Sequence, residues 1–187
     1  MKKLKFLITS VVMLISFNLH AQNKYFTREG TVAFLSQAPL EEIKGVNKKV
    51  TSVLDVSNGQ LEFSVLMKAF EFQKALMQEH FNENYVESDK FPKAVFKGKI
   101  DNAADVKWTS DGVYPVSVTG KMTIHGVTND MATKGTIEIK DGRISGKSTF
   151  NIKIADYDIA IPNVVKDKIA ESVKVDVDLK YELFSGN

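Results

Sequence analysis

Two isolated histidines, His80 and His125, and a scatter of carboxylates are the residues of this chain with the greatest chemical reach; a third histidine, His20, lies in an N-terminal segment treated below. A zinc site draws three or four ligands from Cys, His and carboxylate side chains. The chain has no cysteine, so with His20 set aside a three-histidine site is excluded. Carboxylates would have to complete any metal set, at a spacing the sequence does not show. An acid/base pair needs two carboxyls held in different environments, and the candidates are Glu41-Glu42, Asp156, Asp158 and Glu171. Their scatter among turns and solvent faces reads as solvated charge. No glycine-rich phosphate cradle is present, and no Ser-His-Asp set stands out. His125-Gly126-Val127-Thr128 reads as a strand ending in a tight connection, with Gly126 easing the backbone. His80 sits on a candidate helix, where its ring would face solvent or a ligand head group.

The first residues, Met1-Lys2-Lys3-Leu4-Lys5, precede an apolar run from Phe6 to Phe17 and then Leu19-His20-Ala21. A charged start, an apolar stretch too short to span a bilayer and a small residue at its end make residues 1–21 a secretory signal peptide. Cleavage after Ala21 would leave residues 22–187 as one domain, long enough for a substantial core. Loss of three lysines leaves 22 Lys and Arg against 23 Asp and Glu, so the mature chain is close to neutral. A nucleic-acid footprint would need a clustered basic face, and none is expected. Without cysteine there are no disulfides, and stability must come from burial and sheet hydrogen bonds.

The elements that carry these residues read as strands. Val173, Val175, Val177, Leu179 and Tyr181 alternate with Ser172, Lys174, Asp176, Asp178 and Lys180. A period of two means one face buried and one in water, which favours an antiparallel sheet. Asn58-Gly59, Asp111-Gly112 and Asp141-Gly142 suit the positive backbone angles of hairpins. Strands are expected at about 30–37, 43–56, 60–68, 93–108, 113–125, 130–140, 143–154 and 171–183. Phe72, Leu76, Met77 and Phe81 fall near helical spacing and predict one short helix. A polar stretch, Asn82 to Lys90, then loops back, and Ile161 to Ala170 is a second irregular segment. Either could cover the mouth of a barrel.

Eight antiparallel strands can remove their edges by closing, and a barrel of that size holds either packed side chains or one small ligand. The abundance of Phe and Tyr suits both interiors. The helix and its loop favour the hollow one, since a ligand cavity needs a cover and a portal.

Several short matches carry a family resemblance. His80-Phe81 precedes the polar loop. Phe91-Pro92 with Ala94 and Phe96 forms an aromatic-Pro start to a strand. Gly120 to Thr128 is similar to a Gly-x-Leu-Thr-x-x-Gly-Val-Thr strand and turn, and Asp156-Tyr157, Pro162 and the strand around Val173 also fit. Together they resemble the YceI-like proteins, over roughly Thr31 to Phe184. Two positions depart from the family pattern: Met77-Gln78 stand where an Arg-Asp pair precedes the histidine, and Ser36-Gln37 where a histidine ends the first long strand. Those family residues have no counterpart here for contacts to a polar head group, while the apolar interior is unaffected.

The resemblance implies an all-β, lipocalin-like, eight-stranded antiparallel barrel with one short helix over its mouth. It further implies a non-enzymatic, exported protein that holds an apolar lipid or isoprenoid ligand and needs no cofactor. Its destination would be the periplasm, or secretion beyond it. The wall-lining candidates, taken from apolar strand faces and the covering helix, are Phe34, Phe63, Val65, Leu76, Phe81, Phe96, Met122, Ile124, Phe150 and Ile152. Lys93, Lys97 and Lys99 alternate with Ala94, Phe96, Gly98 and Ile100, which turns the lysines outward. With Lys48-Lys49 and Lys90, their other use would be transient contact with an anionic membrane or a pyrophosphate head group. The alternative reading is a structural or stress-related interaction protein with a filled barrel.

Overall fold

The computed structural model describes residues 23–184; the expected signal peptide, residues 1–21, lies outside the described residues. Nine strands form in chain order: β1 (Lys24–Gln37), β2 (Glu42–Asp55), β3 (Gln60–Leu66), β4 (Glu71–Phe72), β5 (Lys93–Ile100), β6 (Gly112–Ile124), β7 (Val127–Lys140), β8 (Arg143–Lys153) and β9 (Ser172–Leu183). Every pairing is antiparallel. Eight of them follow one another as β1-β9-β8-β7-β6-β5-β3-β2, and β2 pairs back onto β1 to close the ring. The two-residue β4 stands outside the ring and pairs only with Gly45 and Val46 near the start of β2.

Closure follows from the alternation. On β5, Ala94, Phe96 and Ile100 are buried while Lys93, Lys97 and Lys99 are exposed, as expected for strands with one wet face. Two turns have the chemistry the strand geometry demands. Asp141 and Gly142 take φ of 51° and 73°, and His125 and Gly126 take 51° and 78°, the double positive φ of a type I′ hairpin. His125-Gly126 therefore turns β6 directly into β7. Asp111-Gly112, expected as a hairpin, instead ends a longer connection, because the strand before it stops early.

Three boundaries differ from expectation. β1 begins at Lys24, six residues earlier than its alternation suggests. The register slips between Thr27 and Gly30 against β2, and between Phe26 and Thr31 against β9, and a bulge of this kind breaks the period of two. β5 ends at Ile100 rather than near Trp108. Asn102 stops it, donating from Nδ2 to the Pro115 carbonyl at 3.1 Å while its Oδ1 accepts from the Ser117 amide at 2.9 Å; Ala103–Asp105 then form a 3₁₀ turn. The helix is shorter than the aromatic spacing suggested. α1 (Ala75–His80) runs into a π-type turn over Phe81–Tyr85, and Phe72 belongs to β4.

The two ends of the barrel differ. At the base, Val50, Leu54, Ile100, Val106, Ile139 and Ile144 are almost wholly buried and fill the interior. Tyr181 lies among them and shares a 2.9 Å hydrogen bond with the Ser52 hydroxyl. The rim is made of the β1–β2 turn, α1 with the loop after it, the His125-Gly126 turn and the segment between β8 and β9.

Burial raises the Tyr181 phenol well above its ordinary value of 10.0. A raised folded value means full stability below the unfolded value and a loss as pH rises beyond it. Tyr181→Phe is expected to cost about 1 kcal/mol at neutral pH, by leaving Ser52 without its partner. The same variant is expected to flatten the alkaline fall in stability that begins near the ordinary phenol value, and urea unfolding at a series of pH values checks both.

Candidate functional site

Above the packed base the barrel is hollow. A cavity of about 520 Å³ occupies its upper part, within the range typical of small-molecule sites. All ten residues expected on the wall, Phe34, Phe63, Val65, Leu76, Phe81, Phe96, Met122, Ile124, Phe150 and Ile152, border it. The parity of each strand puts eight of them there, and Leu76 and Phe81 come from α1 and the turn after it. Phe96 lies opposite Phe63 on β3 and Met122 on β6, while Phe150 and Ile152 lie opposite Val175 and Val173 on β9. Leu76 differs from the rest: it is 59% exposed and forms the lip of the mouth rather than the wall.

Glycines make room for the aromatic wall. Gly98 and Gly120 are partners across β5 and β6, and a Cβ on either would strike the Phe96 ring and neighbouring main chain. The ring can therefore lie flat over the pair. Gly45 does the same for Phe34. Phe34 in turn joins Phe70, Phe72 and Phe81 at the mouth, with ring centroids 5.0 to 5.8 Å apart. Offset and edge-on contacts of this kind add about 0.5–1.5 kcal/mol each beyond burial, so the cluster holds α1 over the opening.

The wall also contains residues that the alternation implied but did not single out, among them Val173, Val175, Val177 and Met131. Phe70, Tyr157, Ile159 and Ile169 come from irregular rim segments, where no period exists to reveal them. At the rim the polar groups are Glu41, Lys74, His80 and Lys168, with Lys74 Nζ 3.4 Å from Glu41 Oε1, while Thr133, Thr136, Lys147 and Ser148 border the cavity along β7 and β8. Tyr85 and Tyr157 border the cavity, and burial pushes both phenols up.

The departures from the family pattern have structural uses. Ser36 is buried, and its hydroxyl accepts from the Ala170 amide at 2.8 Å, fastening the segment before β9 to β1. Met77 borders the cavity as an apolar group. His125 is a fastening as well: Nδ1 meets the Tyr157 carbonyl at 3.1 Å and Nε2 the Glu87 carboxylate at 2.7 Å. Its ring also lies edge-on to Phe91, 4.7 Å between centroids. Asp156, Asp158 and Glu171 are all exposed. Among the described residues no three of His, Cys, Asp and Glu are grouped as metal ligands.

A closed antiparallel barrel with a packed base, a hollow apolar top and a helix over the mouth belongs to the lipocalin-like class of ligand-cavity barrels. More narrowly, the chain belongs to the YceI-like family, whose domain matches residues 24–181. No curated protein sequence is similar enough to match. Among solved structures, a polyisoprenoid binding domain from Saccharophagus degradans, implicated in plant cell wall breakdown, superposes with a TM-score of 0.75 at 17% identity, covering 87% of this chain and 99% of its own. BcnA of Burkholderia cenocepacia gives 0.67 at 16% identity over 82% and 96%. The YCEI protein of Campylobacter jejuni gives 0.59 at 19% identity over 78% and 88%. At such identities the likeness is one of fold.

Gly45→Val should drive Phe34 out of the mouth cluster. The expected cost is about 1–3 kcal/mol, as for other overpacked cores, with a weakened near-ultraviolet dichroism signal from the ring cluster; denaturant titration and that spectrum check it.

Proposed function

We propose that this protein is an exported, non-enzymatic carrier of a long apolar lipid, isoprenoid-like in its tail, held in the upper barrel. The observation that carries this reading is the cavity itself: about 520 Å³ bordered by Phe, Val, Ile, Leu and Met, with polar side chains at the mouth and along β7 and β8. Such a wall removes a hydrocarbon tail from water at about 0.8 kcal/mol per methylene, before ordering costs. It offers no paired acid and base along the tail, so retention rather than turnover is the chemistry it suits. The polyisoprenoid binding domain of the same fold supports a branched, unsaturated chain as the ligand class. Periplasmic or secreted localisation is part of the proposal and rests on the N-terminal segment.

Transient membrane contact completes it. Leu40, Leu76 and Val164 are 71%, 59% and 89% exposed. They share one rim, because Leu40 N bonds the Asp167 carbonyl at 3.0 Å and Lys74 pairs with Glu41. Apolar side chains gathered around a cavity mouth suit a surface that meets lipid.

Native mass spectrometry of gently purified protein is expected to show a co-purifying lipid. Protein free of lipid that also fails to take up a dansyl-labelled farnesyl chain would count against carriage. Met122→Trp fills part of the cavity with an indole. Its stability should stay within about 1.5 kcal/mol of the parent, because the indole extends into the cavity rather than into packed core, while uptake of the farnesyl probe falls about tenfold or more; a fluorescence titration reads the second effect.

A further inference from the structure

The hydrogen-bond ladder of the barrel is not continuous around the cavity. Between β7 and β8 the ladder runs only from Lys140↔Arg143 to Gly135↔Ser148. Above it, residues 127–134 of β7 pair with β6 alone, and residues 149–153 of β8 pair with β9 alone. The end of the ladder is built rather than frayed. The Lys134 carbonyl, at the fork, accepts from the Ser148 hydroxyl at 2.7 Å, and the Thr133 hydroxyl lies 3.3 Å from Ser148 Oγ. Side chains thus satisfy a main-chain group that a further rung would have used.

The β2–β3 seam also stops well short of the rim, and it is sealed. Above the β2–β3 ladder, β4 pairs with the start of β2, and buried Asn47 donates to the Leu66 carbonyl at 2.8 Å. At β7–β8 only the turn Ile154–Tyr157 crosses the top of the gap. Two side chains hold it to the β6–β7 side: Asn129 Nδ2 donates to the Asp156 carbonyl at 2.6 Å, and His125 reaches the Tyr157 carbonyl. Inside the gap, Met131, Phe150 and Ile152 border the cavity.

We propose that the upper β7–β8 seam is a lateral slit through which an extended apolar chain passes into and out of the cavity, with Ile154–Tyr157 as its strap. The inference rests on the carriage reading. A barrel packed solid at its base and covered at its rim would otherwise admit a long chain only end-first. A slit that reaches the rim lets the chain be laid in sideways, each methylene leaving lipid for the wall while a head group stays outside. On the β6–β7 side the strap is hydrogen-bonded by side chains alone, while Ile154 N holds it to the Glu171 carbonyl before β9 at 3.0 Å, so it can lift from β7 without breaking a ladder.

The chain has no cysteine, so a pair can be introduced cleanly. Ala132→Cys with Asn151→Cys places thiols on the outer face of the two unpaired edges, where a short bifunctional thiol reagent bridges them. Lys97→Cys with Lys121→Cys is the control, since those residues are already partners across β5–β6. Transfer of the dansyl-labelled farnesyl chain from protein to phosphatidylcholine vesicles is then timed. Bridging the β7–β8 pair is expected to slow transfer about tenfold, as locking a lid would, with the control unchanged and Asn129→Ala faster than the parent. Transfer that is unaltered by the β7–β8 bridge, or slowed equally by both bridges, overturns the slit. A parent protein that binds no probe overturns the carriage reading itself, and the slit with it.

Discussion

Closure between β1 and β2 is the constraint from which the rest of the molecule follows. Once β2 pairs back onto β1, the ring leaves few strand edges to be covered by another chain, the upper β7–β8 seam being the main one, and each residue of the eight strands must point either inward or to water. The inward set has to be apolar along its whole length, because buried polar groups without partners cost about 1–3 kcal/mol each. The exceptions obey the same rule: Asn47, Ser52 and Ser36 are buried, and each has a hydrogen-bond partner.

Closure alone does not decide whether the interior is filled, and both outcomes occur in this one barrel. At the base, the 101–111 connection folds inward behind Val106 and joins Leu54, Ile139 and Ile144. Higher up, Gly98, Gly120, Gly135 and Gly146 replace inward side chains, and the wall there is partly bare main chain or an aromatic ring lying flat on it. Small residues at inward positions widen the lumen locally. The expected alternative of a filled barrel is therefore correct for the base and incorrect for the top, and the hollow part is where the proposed ligand would sit.

Strand parity is what could be read from the sequence. Val173 to Tyr181 and Lys93 to Ile100 alternate cleanly, and the same phase carried across the other strands placed eight of the ten wall candidates around one cavity, with Leu76 and Phe81 drawn from the helical spacing. Where the period fails, the reading failed with it. The bulge near Gly30 hid the first six residues of β1. The Asn102 side chain ended β5 by bonding main chain on β6, a contact between residues far apart in sequence that no local pattern announces. Phe72 looked like part of a helical stripe but pairs with Gly45 in β4. The cavity residues from the rim, such as Phe70 and Tyr157, lie on turns, where burial depends on what the turn is fastened to. The interruption of the β7–β8 ladder was equally silent, since both strands alternate without a break across it.

How the rim is fastened separates what is rigid from what can move. The loop after α1 is bound by main-chain bonds, with the Lys90 and Phe91 amides donating to the Glu87 carbonyl and Met67 N to the Pro92 carbonyl, and α1 is further held by the four-ring phenylalanine cluster. Lifting that cover means breaking the aromatic core, while the loop's own main-chain turns keep it stiff. The Ile154–Tyr157 turn is joined to β7 and its hairpin only through the side chains of Asn129 and His125, and to the helix loop through the Glu87 carboxylate on His125. Local opening draws on the weaker contacts of a fold, and on the β6–β7 side the turn is hydrogen-bonded through side chains alone. His125, expected in a tight connection, thus also works as a joint, linking the cover, the hairpin and the strap beside the point where the β7–β8 ladder stops.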